Sequence, residues 1–243
     1  MARRAKFICL SIVVFSLAAV PACRDRLFDN PFDPDFGEVV FEVVQTLAAP
    51  VASPLDLTWD GSLLWMVDGA SGLIAGLNPA SGAVVRTLSP PFSGTTGVAS
   101  DGADLWVCGE GSSDVYRINV INGDIQKRLS LQRGSFTACE YAQGSLWLAD
   151  SLSNKILRVD PETAEVIGSF GNPGTRAAGL AFDGLRFWIS DPAAISIYEL
   201  DSTGQLIRKF QSPGPSPQGL AFDGRFLWNA DAGLTLYQLR FPS

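Results

Sequence analysis

Residues 179–191 read GLAFDGLRFWISD, and residues 219–231 read GLAFDGRFLWNAD. Each has an apolar run, an Asp-Gly pair and a second apolar run centred on Trp. Asp-Gly between apolar runs predicts a tight hairpin, because Gly accepts the positive φ such a turn needs. The same unit recurs along the chain. Trp65, Trp106, Trp147, Trp188 and Trp228 are spaced 41, 41, 41 and 40 residues apart. Asp60-Gly61, Asp101-Gly102, Asp183-Gly184 and Asp223-Gly224 precede four of them, and Gln143-Gly144 precedes Trp147.

Within the fourth copy, residues 178–182, 186–190, 195–200 and 205–210 alternate in polarity and favour β-branched and aromatic residues. Four strands per unit of about 41 residues predict the blades of a β-propeller. The fourth strands end at Leu88, Leu129, Phe170 and Phe210, and the last unit, which stops at Ser243, lacks one. An orphan copy, Phe41 to Leu47, ends 41 residues before Leu88. Residues 39–243 are therefore expected to form an all-β, five-bladed propeller. Its last blade is closed by the N-terminal strand, with burial expected from Val43, Val44 and Leu47.

Residues 1–22 carry Arg3, Arg4 and Lys6, no acid, and an apolar run from Phe7 to Val20. That layout is a secretory signal, too short for a comfortable membrane span. It ends Val20-Pro21-Ala22-Cys23, which resembles a bacterial lipobox. The resemblance implies a palmitate-bearing lipoprotein acylated on Cys23, anchored in a lipid bilayer of the cell envelope and facing the periplasm or exterior. Cleavage after Ala22 to give a secreted chain is the alternative. Residues 23–38, with Asp29, Asp33 and Asp35 among Pro31 and Pro34, are expected to form an extended tether.

The chain has 243 residues, 47% of them hydrophobic, enough for a substantial core. It has no histidine, which excludes His-based triads and His-bound zinc. Removing residues 1–22 moves the net charge from −7 to −10, which argues against nucleic acid as a partner. A monomer is expected.

A residue required in every blade is expected to serve packing, so the tryptophans read as core. Three residues after each Trp come Asp68, Gly109, Asp150, Asp191 and Asp231. With the hairpin centre placed three residues before the Trp, these face the small residues nine before it: Gly97, Ala138, Gly179 and Gly219. The carboxylates are then expected to accept backbone N–H groups from a nearby loop, with a ring of four acids binding a cation at one end of the channel as the alternative.

Departures from the repeat mark a candidate ligand site in the channel. Glu140 stands where other copies have Thr58, Ala99, Ala181 and Ala221. Asp56 replaces a small residue, and Asn229 replaces an apolar one. All three are expected on one face. Arg133 and Arg176, in the loops entering blades 3 and 4, are expected near Glu140, neutralising it or forming an anion-binding rim. Cys108 and Cys139 are expected as buried free thiols pointing away from each other, with a disulfide as the alternative.

The repeat GLA-x-DG-x-x-LW-x-x-D resembles NHL-like repeats of secreted and lipid-anchored bacterial propellers. Five-bladed rings also resemble the glutaminyl cyclotransferases. That resemblance implies a catalytic glutamate within Leu64-Trp65-Met66-Val67-Asp68-Gly69, where this chain has Met66. Virginiamycin B lyases have similar repeats in a larger ring and use a histidine. Gluconolactonase-type propellers bind a divalent metal through Glu, Asn and Asp, which implies Glu140, Asn229 and Asp56. The residues themselves favour a tethered, non-enzymatic scaffold for a protein, peptide or small ligand, without a cofactor. The alternative is a propeller enzyme of the metal-dependent lactonase/hydrolase or glutaminyl cyclotransferase kind, acting through channel carboxylates, with a divalent cation in the first case.

Overall fold

The computed structural model describes residues 40–90 and 92–241, and these form strands and turns only. The signal segment, Cys23 and the tether fall outside the described residues.

Five four-stranded antiparallel sheets surround an axis. Blade 1 comprises Pro54–Trp59, Leu64–Asp68, Ile74–Leu77 and Val84–Leu88, from the axis outward. Blade 2 follows with Thr95–Ser100, Leu105–Gly109, Asp114–Ile118 and Ile125–Ser130. Blade 3 comprises Phe136–Ala142, Ser145–Asp150, Lys155–Val159 and Val166–Gly171. Blade 4 comprises Gly179–Phe182, Phe187–Asp191, Ser196–Leu200 and Leu206–Gln211, each within about a residue of its expected bounds. Blade 5 supplies only Pro217–Phe222, Leu227–Asp231 and Thr235–Arg240 from the C-terminal end. Glu42–Ala48 pairs antiparallel with Thr235–Arg240 and completes it, so first and last strands clasp the ring.

The burial at this clasp differs from expectation. Val43 and Val44 are 43% and 39% exposed. Phe41, just before the strand, is buried instead and stacks on Phe210 with ring centroids 4.5 Å apart. Phe41 precedes the paired strand and reaches the seam between blades 4 and 5, whereas Val43 and Val44 lie where the register of the outer strand shifts and no further strand covers it.

Each tryptophan lies at a contact between neighbouring blades. The turn aspartate explains its fixed phase. One carboxylate oxygen of Asp183 accepts the amides of Leu185 and Arg186, and the other accepts the Trp188 indole N–H at 2.9 Å. Asp60, Asp101 and Asp223 hold Trp65, Trp106 and Trp228 in the same way. Blade 3 has Gln143 and Gly144 in a two-residue turn, both at positive φ, and Trp147 donates to the Ala142 carbonyl instead. A buried indole N–H thus always finds an acceptor.

Register corrects one expectation with consequences throughout. Glu140 opposes Trp147 and Cys139 opposes Leu148, so the hairpin midpoint falls half a residue away from the assumed centre. The position three after the Trp opposes the one eleven before it, as in Pro54–Asp68 and Pro217–Asp231. It does not oppose the small residue nine before. The carboxylates still accept loop amides: Asp68 from Ser53, Asp150 from Ser135, Asp191 from Thr175 and Asp231 from Ser216, at 2.6–3.0 Å. The small residues serve close approach of inner strands instead. A Cβ on Gly219 would lie 2.4 Å from the Leu57 amide nitrogen and 2.5 Å from the Asp56 backbone.

Candidate functional site

The five inner strands run along the axis, so an inner-strand side chain can reach several blades. Asp56 does so. Its Oδ1 accepts the Leu57 amide of its own blade at 3.0 Å. Its Oδ2 accepts the Val98 amide of blade 2 at 3.1 Å and the Cys139 amide of blade 3 at 3.3 Å. The side chain is wholly buried. Burial raises its carboxyl well above the ordinary range; the three amides oppose that shift, and the charge of Glu140 adds to it. Asp56 therefore stitches three blades together at the centre of the ring.

Glu140 lies four residues into the inner strand of blade 3, nearer the hairpin end than the level of Asp56. Burial pushes its carboxyl up to about 8, opposed by the Tyr141 amide. A carboxyl with that value can hold or release a proton near neutral pH. The structure thus brings Asp56 and Glu140 together electrostatically on the axis.

Asn229 is not on their face. Asp56 and Glu140 lie on the blade face shared with the Trp, whereas Asn229 follows its Trp by one residue and faces the other way. It is buried, with Nδ2 donating to the Gly219 and Ala230 carbonyls at 3.2 and 3.1 Å. Its Oδ1 has no partner among the described residues. The arginines do not approach Glu140 either. Arg176 pairs with Glu110 at 3.6 Å, and Arg133 is exposed. They sit in the loops where inner strands begin, and Glu140 is toward the opposite end, so repeat phase placed them too close.

The half-residue register also reverses the thiol expectation. Cys139 faces blade 2 and Cys108 faces blade 3, because the two positions fall on opposite blade faces. Both are fully buried in one apolar cluster, and both are free. Cys139 Sγ donates to the Trp106 carbonyl at 3.7 Å, and Cys108 packs in the same cluster. Burial raises the Cys139 thiol well above its ordinary value, and the Cys108 contact adds to that.

A polar cleft that the sequence did not point to opens between blades 3 and 4. Thr137, Asp150, Asn154, Lys155, Thr175 and Arg176 line it. Its walls are pinned. Asn172 Nδ2 donates to Asn154 Oδ1 at 3.0 Å, Asn154 Nδ2 to the Gly174 carbonyl at 3.2 Å, and Thr137 Oγ1 to the Ala177 carbonyl at 2.6 Å. The carboxylate of Asp150 is taken up by the Ser135, Leu152 and Ser153 amides and the Ser153 hydroxyl. Lys155 forms no ion pair among the described residues, and Arg176 has only its long contact with a half-exposed Glu110. Of this group the sequence pointed only to Arg176 and, as an acceptor of loop amides, to Asp150.

Blade 4 holds a further feature absent from the sequence reading. Glu199, wholly buried opposite Trp188, pairs with Arg186 and, at 2.6 Å, with Arg208. It is satisfied within its own blade.

No protein-family model matches the chain, and no curated protein sequence does. The likeness to NHL-like repeats therefore rests on the quoted residues. Solved structures show the fold. Myxococcus xanthus glutaminyl cyclase matches with a TM-score of 0.72 at 15% identity, over 83% of this chain and 96% of that one. Virginiamycin B lyase from Staphylococcus aureus matches with a TM-score of 0.52 at 18% identity, over 79% and 68%. The β-propeller domain of Myceliophteria thermophila Cps50 (Swd1) matches with a TM-score of 0.54 at 10% identity, over 83% and 100%. The chain is a five-bladed β-propeller. At these identities the likeness extends to fold alone. Met66, at the position where the cyclotransferase resemblance implies a glutamate, is wholly buried in the apolar contact between blades 1 and 5.

Proposed function

We propose that this protein is a membrane-tethered extracytoplasmic binding scaffold whose ligand places an anionic group in the cleft between blades 3 and 4. The observation that carries the reading is the contrast between the axis and the cleft. At the axis, Asp56 is consumed by three backbone amides of the protein itself. In the cleft, Lys155 and Arg176 project two weakly compensated cations over hydrogen-bonded walls. Cations on a pinned rim favour an acidic segment or a carboxylate or phosphate group. Their field is local in a chain of net charge −7.

The test is a photo-crosslinking residue placed at Asn154 in the native cells. One defined adduct is expected, lost in the Lys155→Glu/Arg176→Glu variant and kept in Glu140→Ala. An adduct indifferent to the charge reversal, or none, overturns the cleft reading. The tether is tested by Cys23→Ser. The variant is expected to leave the membrane fraction, and unchanged fractionation refutes the anchor.

A second reading, a propeller enzyme working through channel carboxylates, is favoured by the proton-exchanging Glu140. Glutaminyl cyclase activity that disappears in Glu140→Gln would replace the scaffold reading.

A further inference from the structure

Blades 2 and 3 are joined covalently only through the segment between their sheets; their contact is an apolar cluster with a few hydrogen bonds across it, such as Thr96 Oγ1 to the Phe136 carbonyl at 2.6 Å. Cys108 and Cys139 meet in that contact. Cys108 is the penultimate residue of the second strand of blade 2, and Cys139 lies in the inner strand of blade 3. The two strands belong to different sheets, so no ladder hydrogen bonds join them. A Cβ on Gly97, the cross-strand partner of Cys108, would lie 2.5 Å from Cys108 Sγ and 3.0 Å from the Ala138 backbone. The absence of that Cβ lets the sulfur lie directly over the inner strand that carries Cys139.

We infer that Cys108 and Cys139 form an intramolecular disulfide that staples blade 2 to blade 3. The step requires an external disulfide as oxidant. A thiolate of the pair attacks that disulfide, forming a mixed disulfide and expelling one thiolate. The second cysteine thiolate attacks the protein sulfur of the mixed disulfide, forming the Cys108–Cys139 bond and expelling the second. Two electrons pass from the cysteine sulfurs to the oxidant, and both cysteine protons leave to solvent. Both sulfurs are sealed in the closed ring, so the bond forms while the blades come together. The cross-link closes the chain between residues 108 and 139, encompassing all of the outer half of blade 2. It also fixes the strand whose Cys139 amide binds Asp56, so it braces the three-blade clasp at the axis. The inference stands on the shared buried cluster and on the close approach at Gly97; it rests on the extracytoplasmic placement proposed above and is independent of the ligand cleft.

The test refolds the full chain from denaturant in a buffer of glutathione disulfide and glutathione. Remaining thiols are then alkylated under denaturing, non-reducing conditions, and tryptic peptides are weighed. The expected product is one species joining the peptides that contain Cys108 and Cys139, lighter by two hydrogens than their sum and split by reductant. Free alkylated Cys108 and Cys139, stable mixed disulfides with glutathione, or a cross-link from either to Cys9 or Cys23 would overturn the inference. The oxidised protein is also expected to lose melting temperature on reduction, while Cys108→Ala/Cys139→Ala does not respond to reductant. An oxidised wild type indifferent to reduction would show that the bond is no staple.

Discussion

Replacing Glu140 with Gln tests the electrostatics of the axis. Gln keeps the shape and removes the titratable proton. The ordinary carboxyl value of Glu is 4.5, and burial raises that of Glu140 to about 8 in the folded ring. Between those values the folded chain holds a proton that the unfolded chain has lost, so raising the pH favours unfolding. The stability associated with Glu140 is therefore complete below about pH 4.5 and is lost as the pH rises through about 8. At about 1.36 kcal/mol per pH unit, the loss relative to Gln is under about 1 kcal/mol at pH 5 and reaches about 4 kcal/mol at pH 8. Glu140 is partly exposed, so solvent screening reduces this, and about 2–4 kcal/mol is the expected range at pH 8. Asp56 is present in both proteins, and its own titration largely cancels. Urea unfolding of both proteins at pH 5, 6, 7 and 8 measures the difference. The curves should nearly coincide at pH 5 and diverge with rising pH, the variant becoming the more stable. A difference that is flat across the range would show that the carboxyl is not desolvated and would remove the reasoning.

Phe41→Ala should cost about 3–5 kcal/mol, because it empties the stacked seam with Phe210 and Trp188, whereas Val43→Ala should cost well under about 1 kcal/mol; equal effects in denaturant unfolding would show that the closing strand is held otherwise. Gly219→Ala should prevent folding or lower the melting temperature sharply, since its Cβ would collide with backbone of blade 1 at 2.4 Å, and a variant that melts like the wild type would refute the close approach. Arg208→Met leaves Glu199 buried with one partner fewer and should cost about 3 kcal/mol; Arg208→Met combined with Glu199→Leu should recover much of it, and no recovery would show that the pair is not coupled.

The repeat of Trp and Asp-Gly at a period near 41 determined the strands, the blade count and the closing strand, because each is a local pattern repeated in register. The same local chemistry made the loop amides on Asp68, Asp150, Asp191 and Asp231 legible, since donor and acceptor lie in one blade. Tertiary structure decided what depends on which face a residue takes. Strand side chains alternate with period two, so a half-residue error in the hairpin midpoint turned Cys108 and Cys139 away from each other, whereas the folded ring brings them together. Contacts between blades were equally hidden. The partners of Asp56 lie 42 and 83 residues away in sequence, and nothing in a 41-residue unit says that one carboxylate crosses the axis to reach them. The cleft between blades 3 and 4 arises from loops whose residues vary from copy to copy, so repetition gave no signal for Lys155, and only the packing of two blades creates its wall.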